Sequence, residues 1–139
     1  MSSNTEKNII IEPLSNYKDL KTFYQIPFKI YNYNQFWIPP FFKEFKDFFN
    51  KKNILWTHAE YKLFIAKKNN EIVGRIGAII DYKYCEKVNK KIGYFGFFEC
   101  INDYKCAETL FQSVQDWLIS KNIQIIPEKV TPCFEYPLI

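Results

Sequence analysis

The sequence predicts a mixed α/β (α+β) domain, an antiparallel meander extended by one further parallel strand, and three observations lead there. Residues 58–82, HAEYKLFIAKKNNEIVGRIGAIIDY, are two β-branched and aromatic runs around Asn69-Asn70, a pair that tolerates the positive φ of a two-residue hairpin turn. Residues 92–100, IGYFGFFEC, are a third such run, and they feed almost at once into a helix through Asn102-Asp103. In that helix, 103–121, Cys106, Ala107, Leu110, Phe111, Val114, Trp117 and Leu118 recur at three- and four-residue steps, while Lys105, Glu108, Gln112, Gln115 and Asp116 take the other face.

The remaining elements follow in chain order. NIIIEPL (8–14) reads as a first strand stopped by Pro13. Ser15 or Asn16 caps a helix carrying Leu20, Phe23, Tyr24 and Phe28, which Pro27 kinks or ends. YNYNQFWIPPFF (31–42) reads as an ordered loop packed by its own side chains, and 41–53 as a second helix with Phe41, Phe45, Phe48 and Phe49 on one side. Lys68 and Glu71 flank the hairpin turn and are placed to pair across it, and KYCEKVNKK (83–91) reads as a solvated loop. After the long helix, Asn122 is a stop signal, 123–126 a strand ended by Pro127, and 127–139 an irregular tail. The expected order is β-α-α-β-β-β-α-β, in a single domain over 1–139 whose core is 8–126.

Composition narrows the function classes. The net charge is +4 with Lys and Glu interspersed, and no basic stripe or recognition motif points to nucleic acid. The N-terminus lacks an apolar h-region and no run approaches the length of a membrane span, so the expectation is a cytoplasmic protein without a membrane-spanning segment. Four cysteines, Cys85, Cys100, Cys106 and Cys133, form no C-x-x-C pair and have one histidine between them, which argues against zinc. That histidine, His58, is given no role, and Phe36, Trp37, Phe41 and Phe42 are read as aromatic core with an acceptor-pocket wall as the alternative.

AEYKLFIAKKNNEIVGRIGAIID (59–81) and GYFGFFECINDYKCAETLFQSVQDWL (93–118) resemble the first two-thirds of the GNAT superfamily of N-acetyltransferases, and YNYNQFWIPPF (31–41) suits the loop that precedes the sheet in one subgroup. The resemblance implies an acetyl-coenzyme A-dependent N-acyltransferase acting on an amine acceptor. It places the pantetheine arm along the backbone of Phe98 and Cys100, and the pyrophosphate at the loop and helix start formed by Asn102, Lys105, Cys106 and Ala107. The family's loop is Arg or Gln, two residues, Gly, one residue, then Gly or Ala. Here Ala107 fits, Asn102 replaces the Arg or Gln, Lys105 replaces glycine, and Asp103 lies inside the loop, so binding of the cofactor is expected to be weak. The same junction also reads simply as a strand and helix packing through Phe97, Cys106, Ala107 and Leu110.

Within that resemblance Glu99 is the candidate base, and Tyr94 and Tyr104 are candidate acids. The rival for Glu99 comes from pairing the third and fourth strands about the centre of 83–91. Arg75 then faces Glu99 in a cross-strand ion pair, Gly77 faces Phe97, and Ile79 faces Phe95. The family's later elements have no counterpart after Ile126, so the expectation is a truncated domain of reduced activity, completed by a second copy or a partner chain through 123–139. A non-catalytic interaction module on the same scaffold is the alternative.

Overall fold

The computed structural model describes residues 8–14, 19–31 and 41–123. Strands β1 (Ile9–Pro13), β2 (Ala59–Lys68), β3 (Glu71–Asp81) and β4 (Tyr94–Cys100) form one antiparallel sheet in the order β1-β2-β3-β4. Helices α1 (Leu20–Ile30) and α2 (Phe42–Phe48) pack on one face, α4 (Tyr104–Ser120) on the other, and α3 (Tyr82–Val88) joins β3 to β4. The strand expected at 123–126 lies outside the described residues except for Ile123, which is buried beside α4. The loop at 32–40 and the tail lie outside them as well.

The hairpin turn forms as its sequence requires, with Asn69 and Asn70 at φ 53° and 64°. Two bulges then set which side chains share a face. Ala66 pairs with Gly74 but Lys67 pairs with Ile72, leaving Val73 as the extra residue, and its carbonyl accepts from Ile101 N–H at 3.0 Å. Arg75 pairs with Glu99 but Gly77 pairs with Gly96, so Phe97 is the residue in excess, held at φ 58°. Gly77 therefore faces Gly96 rather than Phe97, and Ile79 faces Tyr94 rather than Phe95.

The second bulge reverses the alternation along β4. Tyr94 and Phe97 point to the α1–α2 face, while Phe95, Phe98 and Cys100 pack with α4. The expected contact of Phe97 with α4 is thus replaced by Phe98 and Cys100. A phenylalanine in left-handed backbone costs on the order of 1–3 kcal/mol. Here the ring is clamped among Phe23, Phe45, Phe48 and Phe49, with centroids 5.3–6.3 Å away.

Three helix boundaries depart from expectation, each for a local reason. Residues 83–91 hold α3 rather than a loop: the Asp81 carboxylate accepts from Lys83 and Tyr84 N–H at 3.1 and 3.2 Å, and Asn89 closes the helix at φ 53°. The second helix stops at Phe48 because its carbonyl accepts from Asn53 Nδ2 at 3.0 Å and Trp56 Nε1 at 2.7 Å, which turns the chain into a 3-10 segment at Ile54–Thr57. Helix α1 continues through Pro27 to Ile30. Proline has no N–H to give the carbonyl four residues back, that of Phe23. Arg75 Nη1 donates to that carbonyl instead, at 2.8 Å.

Candidate functional site

Arg75 sits at the centre of the α1–α2 face, only 2% exposed. Its Nε donates to the carbonyl of Phe97 at 3.0 Å, and its guanidinium lies 4.9 Å from the Phe23 ring centroid and 5.9 Å from that of Phe45. One cation thus satisfies carbonyls at two backbone irregularities, the proline in α1 and the bulge in β4. Glu99 is its register partner on the same face, as expected, but no ion pair forms between them among the described residues.

The Glu99 carboxylate instead accepts a hydrogen bond from the hydroxyl of Tyr31, the residue that ends α1. That bond, with burial and the charge of Glu99, raises the Tyr31 phenol to about 12, so it stays protonated and donates at neutral pH. Tyr31 is the residue that reading the sequence missed. It lies 68 positions from Glu99, and only the docking of α1 on the bulged strand brings the two together. Of the candidate acids, Tyr104 stands at the start of α4 and is 83% exposed. Tyr94 is buried at the far end of β4, roughly 15 Å along the strand from Glu99.

Beside the junction of β4 and α4, strand β3 meets α4 tightly: a Cβ on Gly74 would lie 2.9 Å from Leu110 Cδ1 and 3.3 Å from Cys106 Sγ. Asp103 caps α4, its Oδ1 accepting from Lys105 and Cys106 N–H at 2.9 and 3.3 Å. Lys68 Nζ reaches Oδ2 at 2.8 Å, and so pairs with Asp103 and not with Glu71 across the hairpin turn. Lys68 is the second residue missed, because its side chain crosses from the hairpin to the start of α4.

Two of the N–H groups that such a helix start offers an incoming phosphate, those of Lys105 and Cys106, are therefore already taken by a carboxylate of the same chain. This arrangement works against a pyrophosphate at 102–107, whose charge would meet the Asp103 carboxylate. Asn102, Tyr104 and Lys105 are exposed, Ala107 is half-buried, and Cys106 is fully buried on the core side. Burial pushes the Cys106 thiol up to about 12 and raises that of Cys100, so neither supplies a thiolate nucleophile.

Lys68 and the two capping N–H groups hold the Asp103 carboxyl below its ordinary value of 3.8. A lowered carboxylate contributes stability that is present above the unfolded value and is lost as pH falls through the folded one. Asp103→Asn should therefore be less stable than the parent at neutral pH, and the difference in Tm should shrink as pH drops below about 4. A difference that stays constant down to acid pH would show that the ion pair and cap contribute nothing through charge.

The four-stranded antiparallel sheet, whose bulged last strand runs into a helix, is shared in fold with solved acetyltransferase structures. An aminoglycoside acetyltransferase from an uncultured soil metagenomic sample, in complex with sisomicin, superposes with TM-score 0.60 at 18% identity, over 94% of this chain and 82% of that one. A predicted acetyltransferase with acetyl-CoA from Clostridium acetobutylicum gives 0.60 at 15%, over 91% and 84%, and a GNAT-family acetyltransferase from Staphylococcus aureus Mu50 gives 0.56 at 19%, over 86% and 71%. The chain has the GNAT fold. No protein-family model matches it. Among curated proteins it is 35% identical over 112 residues to protein YghO of Escherichia coli (strain K12), and 32% identical over 119 residues to a bacterial ceramide synthase of Caulobacter vibrioides. Those alignments cover 81% and 84% of this chain but 29% and 30% of the relatives, so the chain spans under a third of their length.

Proposed function

We propose that this chain works in N-acyl transfer from an acyl thioester: the amine attacks the acyl carbon, Glu99 takes the proton the amine loses, and the C–S bond breaks to release a thiolate that is protonated from solvent. The observation that carries this reading is the Tyr31–Glu99 hydrogen bond, part-buried on the face that the β4 bulge creates. A carboxylate oriented by a phenol that stays protonated has one oxygen fixed and the other left for an incoming amine. Support also comes from the relative named as a ceramide synthase, since ceramide is an amide of a long-chain amine. The test is to incubate the chain with acetyl- and longer acyl-coenzyme A and a panel of primary amines, one long-chain base included, and to detect the amide by mass spectrometry. Amide from any pair supports the reading. None from a folded chain would leave the second reading standing.

That second reading is a non-catalytic interaction module, and the Asp103 cap favours it. Acetyl-coenzyme A is the donor that the fold implies, and the isolated chain is expected to hold it weakly at 102–107. Removing the internal anion and the side chain that stands for glycine, in an Asp103→Gly, Lys105→Gly double variant, should tighten binding measured by calorimetry. Saturable low-micromolar binding by the parent, unchanged in the double variant, would refute this account of the junction.

A further inference from the structure

Helix α3 and the return to β4 collect charge at one end of the sheet. Lys83, Lys87, Lys90 and Lys91 are exposed and make no ion pair among the described residues. Four lysines against Glu86 give 83–91 a net +3, most of the +4 of the whole chain. The nearby acids are committed elsewhere. Asp81 caps α3 and holds His58 Nδ1 at 2.8 Å, and Glu60 accepts from the Tyr82 hydroxyl and lies 3.4 Å from Lys121 Nζ.

The same end displays apolar surface. Tyr82 and Tyr84, 46% and 39% exposed, flank Lys83, and Ile54, 78% exposed, opens the 3-10 segment that leads to His58. The two strand ends are tied there by Tyr82 N–H donating to the His58 carbonyl at 2.9 Å. A shallow cavity of about 940 Å³ lies beside α3, with His58, Lys83, Lys90 and Lys91 among its walls.

We propose that this end of the sheet is a docking surface for an anionic lipid membrane, on which the chain rests peripherally. Charge complementarity selects an anionic partner, and the tyrosines select a lipid one. A tyrosine has an apolar body and a polar tip, lysines snorkel, and together they suit a headgroup layer with hydrocarbon beneath it. Nucleic acid favours a basic track that follows a backbone. Here the cations are gathered on one short helix and its return, interleaved with exposed rings. The surface lies apart from Glu99 and holds whether or not Glu99 acts in acyl transfer.

The test is co-sedimentation of the chain with phosphatidylcholine vesicles, alone or mixed with phosphatidylglycerol, at low and high salt. Binding is expected only to the mixed vesicles, falling as salt rises. Each lysine at an anionic surface is worth roughly fivefold in partitioning, so changing Lys83, Lys87, Lys90 and Lys91 together to Gln should weaken binding several hundredfold. Changing Lys21, Lys29, Lys43 and Lys62 to Gln removes the same charge elsewhere and should weaken it far less. A Tyr82→Ser, Tyr84→Ser variant should bind more weakly with an unchanged salt dependence. The proposal is overturned by no binding to mixed vesicles at low salt, by equal loss in both lysine variants, or by binding to a DNA duplex as tight as to vesicles.

Discussion

Glu99→Gln should lower the rate of amide formation by a factor of about 10² to 10⁴ while leaving the fold intact, the range that general-base catalysis supplies. Glutamine keeps the shape and still accepts from Tyr31, but it takes no proton at neutral pH. Tyr31→Phe should cost less, since it removes the orienting bond but leaves the carboxylate. A Glu99→Gln variant as active as the parent would show that Glu99 is only a structural acceptor for Tyr31.

Arg75→Ala should destabilise the chain by about 3–5 kcal/mol, the largest loss expected of any single side chain here. It leaves the carbonyls of Phe23 and Phe97 without their Arg75 bonds inside the core, and it opens a void beside the stacked Phe23 and Phe45 rings. Pro27→Ala restores an N–H four residues after Phe23 and should recover part of that loss in the Arg75→Ala background. The two positions should therefore be coupled in a double-mutant cycle read by urea denaturation. Purely additive effects would mean that the proline does not govern the bond between Arg75 and Phe23.

Much of this architecture was legible without coordinates, wherever the cause is local. Asn69-Asn70 made the hairpin because two consecutive positive-φ residues leave the chain little else to do. The stripe Cys106, Leu110, Val114, Leu118 is the buried face of α4, as its spacing requires. Arg75 does stand opposite Glu99 as expected, but nearer the connection the register is one residue off, and only the bulge at Phe97 brings these two into line. Helix α3 stayed hidden because seven residues are too few for a periodic signal, although Asp81 and Asn89 stood at its ends as caps.

The sequence by itself determined the hairpin, the long helix, the junction between them, and the carboxylates at 99 and 103, since each follows from spacing and backbone preference over a few residues. Only the tertiary structure decided their use. The ring cluster around Phe97 made left-handed backbone affordable there, and the resulting bulge reversed the alternation of β4. That put Phe97 and Tyr94 on one face and gave Glu99 to Tyr31, while Arg75 was drawn to the carbonyl that Pro27 had left without a donor. Lys68 went to Asp103 for a similar reason: a long side chain finds the nearest opposite charge in space, and spatial distance is not written in residue number.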